Sequence, residues 1–219
     1  MIDAIELEGI CHQFEAAGER IELFNGLSCT IRSDQSLAIT GPSGAGKSSL
    51  LSIAAGLEAP TGGRVHFTIA GVGADALAIR KNSGFIFQQF HLMPELDAIG
   101  NLALPLRLKG YRDAFDIAAC WLEKVGLSHR SRHRPHQLSG GEQQRVAVAR
   151  AFIASPRFVF ADEPTGALDS TTSESVASLM FECARTTKCG LVIVTHSERV
   201  ASRADTRLLL DAGRLEVAA

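Results

Sequence analysis

The residues best placed to do chemistry fall in one glycine-rich run, Gly41-Pro-Ser-Gly-Ala-Gly-Lys-Ser48, followed by Ser49. Its spacing is G-x-x-x-x-G-K-[ST]. Gly41, Gly44 and Gly46 let the backbone N–H groups around Ser43 and Ala45 turn inward on a chain of phosphates. Lys47 is expected to reach the β and γ phosphates, and the Ser48 hydroxyl to ligate Mg²⁺. The run lies between an apolar strand, Ser36 to Thr40, and a helical pattern through Leu50 to Ala55. A helix N-terminus at that point adds its positive end to the anion site.

Two further groups of residues gain meaning from that loop. In Phe158-Val-Phe-Ala-Asp162-Glu163 an apolar strand delivers two carboxylates at its C-terminal end, where open α/β sheets bind ligands. Asp162 is expected to hold Mg²⁺ and Glu163 to polarise an attacking water. In Leu138-Ser-Gly-Gly-Glu-Gln-Gln-Arg145, Ser139 and Glu142 have the spacing of a capping box opening a helix. A cap does not call for two adjacent glycines, which weaken a helix. Gly140 and Gly141 do leave bare N–H groups at a helix start, which makes a second anion site.

These residues need a scaffold, and the chain has the means to build one. Hydrophobic residues make up 46% of 219, enough for a real core. Apolar runs at Gly84 to Phe87 and Leu191 to Thr195 join the two above as short buried strands of a parallel sheet. Helical patterns at Glu142 to Ala154 and Ser173 to Arg185 alternate with them, predicting an α/β core. Ile5 to Phe14, Ile21 to Ile31 and Arg64 to Ile69 alternate in polarity and read as an antiparallel lobe. From 88 to 154 no strand is expected, and a helical sub-lobe takes its place. It includes a helix over Phe115 to Val125 with an apolar stripe of Phe115, Ala118, Ala119 and Leu122. One domain, 1–219, carries all three lobes.

Taken in order, these motifs resemble those of ABC-type nucleotide-binding domains, nearly end to end. The resemblance implies hydrolysis of ATP to ADP and phosphate, with Mg²⁺, by a pair of like chains closed head to tail around two ATPs. The pair is a homodimer or one with a paralogue. It implies that Ser139, Gly140 and Gly141 of one copy meet ATP held at Lys47 of the other. Gln88, after the strand ending at Phe87, resembles the glutamine that senses Mg²⁺ or water and joins the core to the helical lobe; Gln89 beside it is the alternative. Ala167-Leu168-Asp169 resembles the loop that crosses the dimer interface, and His196 the switch histidine that contacts the γ phosphate and organises Glu163. Phe14 aligns with the aromatic that stacks on adenine; a core phenylalanine in a half-buried strand is the competing reading. Glu142 stands where many relatives carry glutamine.

Other phosphate-loop classes fit less well. No asparagine-lysine-x-aspartate guanine reader is present, and the stretch from Gln88 to Leu138 is too short for the insertions of chromosome-maintenance ATPases. With 22 Lys and Arg against 24 Asp and Glu, there is no basic footprint for nucleic acid. Phe85-Ile-Phe-Gln-Gln-Phe-His-Leu-Met-Pro94 and Ala161-Asp-Glu-Pro-Thr-Gly166 resemble the macrolide-exporter, lipoprotein-releasing and cell-division branch, departing from it at Ala167 and at Asp97-Ala-Ile-Gly100. That branch implies a separate transmembrane permease subunit and a peripheral place on the cytoplasmic face of the inner membrane. No apolar run approaches the roughly 18 residues of a membrane-spanning helix, and the acidic start carries no export signal.

Three smaller expectations complete the reading. The five cysteines are free thiols. Ser128 to His136 is a solvated basic loop. Pro94, Gly100 and Pro105 interrupt the apolar segment from Gln88 to Leu108, which leaves Phe90, Leu92 and Met93 to line a groove for a helix of the partner.

Overall fold

A computed structural model describes residues 2–16 and 19–218. The chain builds two sheets and a helical lobe, and the run 41–48 leads from a strand of the second sheet into the helix that follows it. The first sheet has strand order β2-β1-β4-β5, built from β1 (Ala4–Ala16), β2 (Glu19–Arg32), β4 (Gly62–Ile69) and β5 (Val72–Ala74), all antiparallel. The second has order β10-β9-β3-β8-β7-β6. Here β3 (Ser36–Thr40), β6 (Ser83–Phe87), β7 (Phe158–Asp162), β8 (Gly190–Val194) and β9 (Thr206–Asp211) run parallel, and β10 (Arg214–Val217) returns antiparallel at the edge.

Every residue of β3 and β8 is buried, which is why those strands read as unbroken apolar runs rather than alternating ones. One face packs with α1 (Lys47–Ala54) and the antiparallel sheet around Ile5, Phe24, Leu50, Ile53 and Phe160. The other face carries α5 (Gly140–Phe152) and α6 (Ser170–Thr187) around Phe152, Val176, Met180 and Ile193. The helical lobe, with α3 (Ala98–Leu108) and α4 (Ala114–Lys124), has its own core of Leu102, Leu106, Ala118, Leu122 and Val146. No helix among the described residues is long and apolar enough to cross a membrane.

Two local expectations need correction, and two more gain detail. Gly100 and Pro105 do not interrupt α3. Its face of Ala98, Leu102, Ala103 and Leu106 is buried along its whole length, and that burial holds the helix through the proline. In α4 the buried stripe is Ala114, Ala118 and Leu122, while Phe115 is 45% exposed under the Arg107 guanidinium and Ala119 is exposed. Ala118 and Leu122 thus lie in the stripe as expected, while Ala114 takes the place of Phe115. Segment 128–136 does more than sit in water: the carbonyls of Ser131 and His133 accept from the N–H groups of Ile99 and Ala98, satisfying donors at the start of α3. Of the groove trio only Met93 is exposed. Leu92 packs into the lobe core, and Phe90 sits close to Gly140.

The five cysteines are unpaired. Burial pushes the Cys29 thiol up to about 12 and the Cys183 thiol to about 11, which makes both inert at neutral pH.

Candidate nucleotide site

The phosphate loop follows β3 directly and ends in α1. Gly41, Gly44 and Gly46 have φ of 146°, 80° and 91°, values that L side chains rarely adopt. A Cβ at Gly41 would also lie 2.1 Å from the Leu210 carbonyl oxygen, and one at Gly46 would meet the Phe24 ring. Glycine is thus required twice over at Gly41 and Gly46, and by φ alone at Gly44. Lys47 is buried and turns its Nζ back onto the loop, donating to the carbonyls of Gly41 and Pro42 at 2.9 Å each. A positive charge held beside a helix start suits an anionic ligand.

Asp162 ends β7 beside that loop, and its Oδ1 accepts from the Ser48 hydroxyl at 3.0 Å. Burial pushes the Asp162 carboxyl up, and the neighbouring Glu163 charge adds to the rise; the Ser48 hydrogen bond and Lys47 oppose it. Ser48 and Asp162 are both hard oxygen donors. They suit Mg²⁺, which keeps phosphate and water among its ligands rather than filling a cage of protein groups.

Glu163 takes the left-handed backbone, φ 45°. That conformation costs of order 1–3 kcal/mol in a non-glycine residue. It is held by the Glu163 N–H donating to the Val194 carbonyl at 2.9 Å and by Gly166 N–H donating back to Glu163 at 3.0 Å. The strained turn aims the carboxylate at His196, whose Nδ1 lies 2.8 Å from Oε1 and whose backbone N–H donates to Oε2 at 3.4 Å. Facing a carboxylate, Nδ1 carries the ring proton, which leaves Nε2 free. The Gln88 amide completes the group: a Cβ at Gly166, in the Glu163 turn, would lie 3.1 Å from its Nε2. A cavity of about 470 Å³ opens between Glu163, Leu168, Ser173 and His196.

Phe14 is 45% exposed and pairs across the sheet with Ile21. Ile21, Leu23, Gly44 and Ala45 line one cavity of about 620 Å³, so the Phe14 end of β1 flanks the phosphate loop. The core reading of Phe14 does not fit this exposure.

Ser139 does not join this cluster. It caps α5, its hydroxyl accepting from the Glu142 N–H while Glu142 accepts from the Ser139 N–H at 2.8 Å. Arg130 donates to the same Glu142 carboxylate at 3.0 Å. These bonds hold the Glu142 carboxyl below the usual range, the Ser139 backbone bond most of all. Gly141 has a packing reason, since its Cβ would lie 2.4 Å from the Thr172 methyl. Asp169 caps α6, accepting from Thr171 and Thr172 N–H groups at 3.1 and 3.0 Å, and is exposed. Ser139 and Asp169 are exposed, and among the described residues their side chains bond only within their own caps.

Two residues to which the sequence assigned no role also reach the site loops. Gln144 donates to the carbonyl of Pro164, and Arg150 to those of Phe90 and His91. The signal for Arg150 was a lone charge in the apolar run Val146 to Phe152; nothing distinguished Gln144 from its neighbour Gln143.

Known proteins resemble this chain in sequence and fold. The family model described as ABC transporter matches residues 24–166. The lipoprotein-releasing system ATP-binding protein LolD of Hahella chejuensis is 43% identical over 204 residues, covering 90% of this chain and 88% of that one. LolD of Nitratidesulfovibrio vulgaris is 40% identical over 216 residues, covering 95% and 93%. A solved ATP-binding cassette, dimeric in a post-hydrolysis state bound to ADP and Pi, superposes with a TM-score of 0.85 at 34% identity, over 97% of this chain and 96% of that one. The chain belongs to the ABC transporter family and is one of its ATP-hydrolysing subunits, working on ATP with Mg²⁺.

Proposed function

We propose that two copies of this chain close head to tail on two ATPs and drive a separate transmembrane subunit that extracts lipoproteins or similar lipid-bearing cargo. The chain then sits peripherally on the cytoplasmic face of the inner membrane. The cargo class rests on the relatives' name, lipoprotein-releasing system ATP-binding protein. The site reading rests above all on the pairing of Ser48 with Asp162 at 3.0 Å beside Glu163 with His196 at 2.8 Å.

In this reading Phe14 stacks on adenine, and Lys47 exchanges its two carbonyls for the β and γ phosphates. The N–H groups from Gly41 to Ser49 wrap the phosphate chain. Ser48 and Asp162 hold Mg²⁺, which neutralises phosphate charge when bound. Glu163 takes a proton from the attacking water, His196 fixes the Glu163 carboxylate, and Gln88 reports the state of the site to the helical lobe. Ser139, Gly140 and Gly141 close on the other copy's γ phosphate, with Asp169 in the interface loop.

Mixing two inactive variants tests the arrangement. Ser139→Arg and Lys47→Ala should each lose ATP turnover alone. In a mixture, half-and-half pairs carry one composite site with both defects and one with neither, so activity should partly return. No recovery on mixing, or full activity of Ser139→Arg alone, contradicts the head-to-tail pairing.

A further inference from the structure

From its cap at Ser139, α5 runs back toward the sheet, and two of its polar side chains leave it for neighbouring loops. Gln144 is fully buried. Its amide nitrogen faces the carbonyls of Phe87, at 3.4 Å, and Pro164. Arg150 donates from Nη2 to the Phe90 carbonyl at 3.0 Å and from Nη1 to that of His91 at 2.6 Å. Phe87 immediately precedes Gln88, Phe90 and His91 follow it, and Pro164 follows Glu163. One helix thus grips both sides of the Gln88 loop and the turn that aims Glu163.

The grip falls on backbone, and at strained places. Phe90 and His91 both have positive φ, 62° and 45°, a conformation that persists in bulky residues only when the surroundings hold it. A planar guanidinium bonded to two successive carbonyls is such a hold. Gln144 Oε1 has no hydrogen-bond partner among the described residues. A buried amide with one end unmatched is kept for the bonds its other end makes. At the start of α5 the Phe90 ring also comes within 3.7 Å of where a Gly140 Cβ would stand.

We infer that Gln144 and Arg150 are positioning residues that make α5 a stiff link between the signature residues at its start and the loops of Gln88 and Glu163 in the same chain. Neither touches nucleotide. Because Ser139 meets the other copy's ATP, a shift of α5 on closing there is passed to the hydrolytic loops of its own copy. The two ATP sites are thereby coupled through this helix. The inference rests on the proposed trans role of Ser139.

Arg150→Ala tests the link in two readouts that separate it from that role. In the nucleotide-free protein, amide exchange of Phe90, His91 and Met93 should rise about tenfold, while α1 and β3 exchange as in the wild type. ATP affinity should stay within about twofold. In a Glu163→Gln background, where ATP is expected to trap the dimer, adding Arg150→Ala should remove most of that dimer, and Arg150→Lys should restore part of it because it keeps the charge but not the fork. Unchanged exchange in the 88–93 loop overturns the link. So does a trapped dimer at full yield despite a loosened loop, or a loss of dimer matched by an equal loss of thermal stability and ATP affinity. If Glu163→Gln alone traps no dimer, the trans role of Ser139 fails instead, and the exchange result still decides whether α5 holds the loops.

Discussion

Asp162 stands half-buried at the end of β7, and that burial gives its titration a direction. Burial raises its pKa above the ordinary aspartate value of 3.8, outweighing the Ser48 bond and Lys47. A raised carboxyl favours the folded state while protonated, so this contribution is fully present below 3.8 and is lost as pH rises through the elevated folded value. Mg²⁺ needs the deprotonated form. The extra thermal stabilisation that MgATP gives over ATP alone should therefore grow as pH climbs from about 4 toward 7. In Asp162→Asn that growth should shrink to the part set by the ionisation of ATP's own phosphates. A Mg²⁺ increment equally pH-dependent in Asp162→Asn would remove this carboxylate from the metal's ligands.

At the scale of elements, close backbone packing fixes where the site's strands lie. Gly84 in β6 lies so near α5 that a Cβ would stand 2.1 Å from the Ala151 carbonyl oxygen. Gly84→Ala should cost about 3 kcal/mol in chemical denaturation, since neither strand nor helix backbone can yield. Gly73→Ala, with nothing within 4 Å, should stay within about 0.5 kcal/mol. Equal midpoints for the two variants would mean that β6 and α5 are not locked together. Such contacts also explain what the sequence showed and what it hid. Strands β3, β7 and β8 were legible because burial on both faces leaves an unbroken apolar run, and β6 because Gly84 to Phe87 are apolar although only alternate residues are buried. The phosphate loop was legible because its glycines answer to φ and, at Gly41 and Gly46, to steric limits as well. The α4 stripe was misread at Phe115, which is apolar yet faces outward under Arg107, a pairing made by α3. The run through Pro105 hid a helix because tertiary burial overrode the local breaker. Glu163, His196, Ser48 and Asp162 could be named from motif order, but only folding shows that Ser48 and Asp162 are already bonded and that Glu163 is aimed by a strained turn.

The whole molecule works by joining its nucleotide end to a partner. Leu108, 80% exposed, rims a cavity of about 580 Å³ walled by Phe85, Phe87, Pro105, Ala151 and Ala154, with Arg150 beside them. This apolar groove lies next to the Gln88 loop, and we propose it, beside the trio of Phe90, Leu92 and Met93, as a place where a transmembrane subunit docks. Leu108→Glu should leave the fold and ATP binding intact, because the side chain is almost free, yet reduce sedimentation with membranes that contain the partner. Wild-type sedimentation would move the docking surface elsewhere. Everything else in the account depends on Glu163 acting on water in an ATP-bound pair. The most direct measurement is ATP turnover of Glu163→Gln, followed by size-exclusion chromatography in ATP. Loss of the base should lower turnover by about 10²–10⁴, leave ATP affinity near wild type, and shift the protein to a dimer in ATP that dissociates when ATP is removed. Near wild-type turnover, or a monomer at saturating ATP, would contradict the account.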